Sequence, residues 1–301
     1  MSYGDSVSRR GKGGEHDVLL RDWYGTPIDV YVKGEETPES VVVSGGFRGD
    51  CEVSRRAVVE AVDKIEVSKK AYFIPTMDPT GSRGVEYVFK DLAIRCGIND
   101  VDCLKEVRGI DVDVLDDVVA VRAGNLYLLY PLRGSHGGVE EFLEHVGAKG
   151  LPLEKMEGFL LLVSPYSSGR PARSMHVDAG EIMALDEWKS EPPGHVGLFL
   201  SWIGEMEGVR LYVEAGCGGG GEVTITLYRG ASTGVLEDIA SLAAVQVENS
   251  RVEVVQLPLG NNIYREIYGR GVPIIKITGG SVESLTTVLL SILNSFAFFS
   301  V

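Results

Sequence analysis

Histidine is scarce in this sequence: its 301 residues include five, and none stands in an HxxxH or HxxE spacing, which excludes a zinc site built from a single helix. Cysteine is sparse as well. The four cysteines, Cys51, Cys96, Cys103 and Cys217, include no CxxC pair and are too scattered for a disulfide framework, so a reducing, cytoplasmic setting is the simpler expectation. Cys96 and Cys103 are near enough in sequence to pair if the chain is oxidised. Basic runs and aromatic-basic stripes are also lacking, and the formal charge is -14, which argues against a nucleic-acid surface. The most apolar stretch, "LTTVLLSILNSFAFFSV" at 285–301, is short for a bilayer and broken by Ser, Thr and Asn. It reads as a buried closing helix, and no membrane partner is expected.

What is present describes a folded α/β protein. Hydrophobic residues make up 44% of the chain, enough for a sizeable core at this length. Residues 1–17 carry two small basic clusters but no apolar stretch of the kind a secretory signal needs, so they read as a flexible leader. No linker or repeat divides 18–301, which is expected to form one domain. β-Branched runs at 28–32, 41–44, 71–75, 118–122, 127–130, 159–164, 210–214, 223–228, 252–256 and 273–278 are read as strands. Stretches at 54–64, 85–96, 138–145, 235–245 and 281–296 are read as helices. This alternation predicts a mixed, mostly parallel sheet flanked by helices, with a hairpin at Gly124-Asn125 and a long loop over 165–193.

Five stretches carry the chemistry, in this order: "GGFRGDCE" at 45–52, "IPTMDPTG" at 74–81, "GIDVDV" at 109–114, "VVAVRAGNLYLLYP" at 118–131 and "GVRLYVEAG" at 208–216. The series resembles the zinc carboxypeptidase and succinylglutamate desuccinylase/aspartoacylase family. There the counterparts are "GGxHGxE", "PxxNPDG", "GVDLNR", "DLHSYGNLILYP" and "GIPYTFTIELG". The resemblance covers about residues 40–220 and implies the family's fold, but the ligand positions are altered. The first zinc-binding His falls on Arg48, and the zinc-binding Glu falls on Cys51, with Glu52 one place late. The third His falls on Arg122, or on Val121 with a one-residue shift. The substrate-carboxylate Asn and Arg fall on Asp113 and Val114, and the general-base Glu on Glu214. A second alignment sets "GVPIIKITGG" at 271–280 on the general-base strand, with Thr278 in the Glu position.

Catalytic zinc needs three ligands that are imidazole, thiolate or carboxylate, and an arginine cannot deprotonate to serve. Cys51, Glu52 and His136 are the remaining ligand-capable start, so zinc is disfavoured and no cofactor is expected. Arg48 and Arg122 suit a carboxylate held bidentately, or else pair with Asp50, Glu52 or Glu214. The expectation is a non-catalytic protein binding a small carboxylate or a peptide C-terminus, with Asp113 beside the ligand. One rival is a metal-dependent amide hydrolase or carboxypeptidase with a rearranged site, in which Glu214 activates water. The other comes from "YVEAGCGGGG" at 212–221, which resembles the loop of S-adenosylmethionine-dependent methyltransferases and would place Gly216, Gly218 and Gly220 around the cofactor. That reading requires a helix to start at the glycines, whereas "EVTITLY" reads as another strand.

Overall fold

Val41, Val42 and Val43 form an unbroken β-branched run and are buried on both sides in the computed structural model, as a central parallel strand requires. The structure describes residues 9–11, 14–22, 25–45, 51–83, 89–90, 92–97, 100–115, 118–123, 126–131, 158–162, 173–178, 181–184, 187–188, 192, 194–218, 221–228, 233–258 and 261–298. The main sheet takes β1 (Arg9–Gly11), β2 (Gly14–Arg21), β3 (Pro27–Lys33), β4 (Ser40–Gly45), β5 (Lys70–Ile74), β13 (Val209–Cys217), β14 (Val223–Tyr228), β15 (Ser250–Val255) and β17 (Ile274–Gly279). Their order is β1-β2-β3-β5-β4-β13-β17-β14-β15. The centre, β5-β4-β13-β17, is parallel, while β3 and β14 run antiparallel to it on either side. This is the expected mixed sheet. β1 and the start of β2 fall within the stretch read as a leader.

Helices cover both faces. α1 (Glu52–Lys64), α5 (Thr233–Ala244) and α7 (Val282–Phe298) lie on one side. There Ala57, Val58, Ala61 and Val62 recur at helical spacing and pack with Val41, Val43, Phe73, Val213 and Ile275. α4 (Gly194–Glu205) and α6 (Ile263–Gly269) take the other side, where Phe199, Ile203, Tyr264 and Ile267 meet Val42, Ile74, Tyr212 and Ile274. Among the described residues no helix is long and apolar enough to cross a membrane.

A second sheet, absent from the sequence expectation, is inserted between β5 and α4. It has six strands ordered β11-β10-β9-β8-β7-β6: β6 (Asp111–Leu115), β7 (Val118–Ala123), β8 (Leu126–Pro131), β9 (Gly158–Leu162), β10 (Arg173–Asp178) and β11 (Glu181–Ala184). β7 and β8 pair antiparallel, as the Gly124-Asn125 turn predicts. β10, β11 and the short β12 (Glu187–Trp188), which pairs with β16 (Asn261–Asn262), occupy stretches read as loop. Of the helix expected over 85–96, residues 89–90 are helical, 92–96 are turn or irregular, and 85–88 and 91 lie outside the described residues, as does the helix expected at 138–145; α2 (Pro79–Arg83) precedes this stretch and α3 (Val101–Glu106) follows it. Leu104 of α3 packs with Val119, Val121 and Leu128 of the second sheet.

Candidate functional site

Successive residues of a strand alternate faces, so residues in register across parallel strands share one. On the α4/α6 side the row Val42, Tyr212 and Ile274 is apolar. Two residues nearer the strands' carboxyl ends the row becomes Ser44, Glu214 and Lys276, with Thr226 opposite Lys276 on β14. Gly216 and Thr278 form the next row, at the edge where open α/β sheets place their ligand crevice. Polar side chains thus replace apolar ones as the sheet reaches its crevice.

Glu214 is buried and well held. Its Oε1 accepts the Tyr264 hydroxyl at 3.0 Å, the Lys276 Nζ lies 3.7 Å from that oxygen, and Nζ donates to the Tyr264 hydroxyl at 2.7 Å. The Lys276 ammonium also stands 4.9 Å from the centre of the Tyr264 ring, which is stacked at 5.0 Å on Tyr228. Two residues earlier on β13, the Tyr212 hydroxyl lies 2.7 Å from the Ser44 hydroxyl of the neighbouring β4. Burial, reinforced by the Glu214 carboxylate, pushes the Tyr212 phenol well above its ordinary pKa, so Tyr212 stays neutral. Sequence reasoning singled out Glu214 as an acid in an apolar strand, but missed Lys276, Tyr264 and Tyr212. Tyr264 is 50 positions from Glu214 in sequence, and the signal for Lys276 was a lone charge in the apolar run "PIIKIT".

Cys51 and Cys217 form a disulfide, with their Cα atoms 5.6 Å apart, and this corrects the expectation of scattered free thiols. The residues are 166 positions apart, a pairing that spacing cannot suggest; it arises because β4 and β13 are neighbours, with Cys217 the last residue of β13 and Cys51 the N-cap of the helix that comes after β4. Cys51 is buried at the N-cap of α1, whereas Cys217 is exposed at the end of β13. Cys96 and Cys103 form the second bridge, the pairing expected of an oxidised chain, beside the Asp100 cap of α3. No described cysteine is free, so the cysteines no longer support a reducing compartment.

The remaining candidate residues are dispersed. Arg48 and His136 lie outside the described residues. Glu52 opens α1 and meets Arg55 at 3.6 Å. Arg122 and Asp113 are exposed on β7 and β6 of the second sheet, where Arg122 is in register with Asp111 and Asp113 with Ala120. The strand of Arg122 and Val121 is therefore not part of the sheet that carries Glu214. Sheet membership separates residues that the linear motif order had placed together. Among the described residues no three His, Cys, Asp or Glu side chains converge as a metal site.

Gly218, just after β13, has a packing explanation. The Gly218 amide donates to Gly279 O at 3.1 Å, and a Cβ on Gly218 would come within 3.0 Å of the Gly279 nitrogen. The run then leads into β14, so the helix that a nucleotide loop needs is replaced by a strand. The stretch "IPTMDPTG" is likewise structural. Asp22 Oδ2 accepts the Thr80 amide at 3.2 Å and its hydroxyl at 2.6 Å, while Oδ1 accepts the Thr26 amide at 2.9 Å. These bonds tie the start of α2 to the β2–β3 turn. A Cβ on Gly45 would collide with the Pro75 carbonyl oxygen, so glycine there lets the ends of β4 and β5 close together.

No protein-family model matches the chain, and no curated protein matches it in sequence. Solved structures do. A metallo-carboxypeptidase from Burkholderia cenocepacia superposes over 95% of this chain and 64% of its own, with a TM-score of 0.52 at 8% identity. The chain has the metallo-carboxypeptidase fold. The murein-tripeptide amidase MpaA from Escherichia coli O157 also matches, over 98% of both chains, with a TM-score of 0.47 at 12% identity. The chain spans just under two thirds of the carboxypeptidase's length. The carboxypeptidase fold accounts for the parallel centre with helices on both faces.

Proposed function

We propose that this chain keeps the carboxypeptidase fold without its metal-dependent hydrolysis, and binds a carboxylate-bearing group, such as a peptide C-terminus, at the carboxyl end of the central strands. The observation that carries this reading is the Cys51–Cys217 bridge. Cys51 stands where the resemblance puts a zinc-binding carboxylate, and a sulfur committed to a disulfide is not the thiolate that zinc requires. Glu214 is also poorly suited to take a proton from water. Its Oε1 already receives the Tyr264 hydroxyl beside the Lys276 ammonium, and both stabilise the ionised form. Positive charge for a ligand comes from Arg48, which lies in the sequence between β4 and α1, and from the partly exposed Lys276. Arg122 and Asp113 are left out of this reading because they lie on the second sheet.

Calorimetry with N-acetylglycine and its neutral amide tests it, since the two differ in the carboxylate. The acid binds wild type more tightly than the amide does, and Arg48→Ala removes that preference with an almost unchanged melting temperature. A wild type indifferent to the carboxylate, or a variant that keeps the preference, overturns the reading.

A further inference from the structure

We infer that Cys217 is a thiol-exchange site, at which a low-molecular-weight thiol opens the Cys51–Cys217 bridge of the folded protein and remains attached to Cys217 as a mixed disulfide. Three features of the structure converge on this. The two ends of the bridge differ in access, because Cys217 is exposed at the end of β13 while Cys51 is only 4% exposed. An incoming thiolate therefore reaches the Cys217 sulfur and expels the Cys51 sulfur, and not the reverse.

The leaving sulfur is also well placed. Cys51 is the N-cap of the thirteen-residue α1, and its side chain makes no capping hydrogen bond while it is held in the bridge. Once expelled, the Cys51 thiolate sits where the first-turn amides of α1 point, and a helix N-terminus stabilises a thiolate. A better leaving group departs faster, so this asymmetry favours the same direction of attack as the exposure does. Burial of Cys51 opposes ionisation, and Glu52 adds a negative charge that Arg55 offsets at 3.6 Å.

Opening the bridge also does not require the sheet to come apart. β13 remains paired with β4 from Val209 to Ala215 and with β17 from Tyr212 to Cys217. The step balances: thiolate RS⁻ attacks the Cys217 sulfur, the S–S bond breaks, Cys217–S–S–R forms, and Cys51 leaves as the thiolate. The other bridge is an internal control, since Cys96 and Cys103 are both half-buried and offer no such asymmetry. The inference stands on thiol chemistry alone and is independent of carboxylate binding.

The test treats the wild-type protein with reduced glutathione under native conditions, quenches with an alkylating reagent and maps the adducts by peptide mass spectrometry. Circular dichroism follows the fold in parallel. The expected result is one glutathione on the peptide carrying Cys217, with Cys51 alkylated, appearing at least ~10-fold faster than any adduct on Cys96 or Cys103 while the dichroism is unchanged. Glutathione found first on Cys51, on Cys96 or on Cys103 overturns the inference, as does a bridge that opens only when the fold is lost.

Discussion

Replacing Lys276 by Met should destabilise the protein chiefly through what it leaves behind. The substitution removes the ammonium 3.7 Å from Glu214 Oε1 and the 2.7 Å bond to the Tyr264 hydroxyl, while roughly preserving the volume of the alkyl chain. The Glu214 side chain is 4% exposed, so its carboxylate stays in a medium that solvates charge poorly, while its Oε1 still accepts from the Tyr264 hydroxyl. Removing one member of a buried pair costs about 3–5 kcal/mol. The Lys276 side chain is 27% exposed, which screens the pair and puts the expected loss near the lower end, about 3 kcal/mol. For a chain of 301 residues that corresponds to a fall of about 5 °C in melting temperature.

The loss should depend on pH with a definite sign. In the variant, burial without the ammonium raises the proton affinity of Glu214 in the folded state above that of an unfolded glutamate, whose pKa is about 4.3. The variant's deficit is therefore small below that pH, where the carboxyl is protonated in both states, and grows as pH rises toward neutrality. Adding Glu214→Gln removes the charge, and the double variant should recover most of the loss at neutral pH. Thermal melts of wild type, K276M and E214Q/K276M from pH 4 to pH 8 measure this. A K276M deficit that is absent at neutral pH, or that does not change with pH, refutes the argument, and so does a double variant no more stable than K276M.

Two further perturbations follow from the same structure. Loop-closure entropy assigns about 5 kcal/mol to a bridge across 166 residues and about 2 kcal/mol to one across 7, so C51A/C217A should lower the denaturant midpoint well beyond C96A/C103A; the reverse order would show that the loop argument fails here. Asp22→Ala leaves the Thr26 and Thr80 amides without their buried acceptor and should cost about 3 kcal/mol in chemical unfolding, and a loss below about 1 kcal/mol would mean that water replaces the carboxylate.

The legible part of the fold was local. The run "VVVS" and the 3.6-residue periodicity of "SRRAVVEAVDK" placed β4 and α1 nearly as found. α4 escaped notice because "GHVGLFLSWIGE" is apolar almost all round, with Gly197 and Gly204 inside it, so no amphipathic stripe marks it. "VVAVRAGNLYLLYP" was read correctly as two strands and a turn, but a hairpin looks the same whichever sheet it joins. For that reason the sequence did not show that Arg122 lies in the second sheet. Glu214 stood out as a charge in an apolar strand, and its adjacent strand carries Thr278, so the two positions that competed for one role lie on neighbouring strands. The Cys51–Cys217 pairing depends on β4 and β13 being adjacent, and nothing within either segment encodes that adjacency.

The position of this bridge in the chain has one more consequence. α1, β5 and every strand of the second sheet lie between Cys51 and Cys217, so they form a covalently closed ring whose clasp is at the crevice of the main sheet. A single backbone cut anywhere within the ring opens it without dividing the molecule. The second sheet can thus differ in length, lose a loop or be nicked while the strands on either side of the clasp remain tethered. The clasp uncouples the integrity of the central sheet from the history of the segment inserted into it.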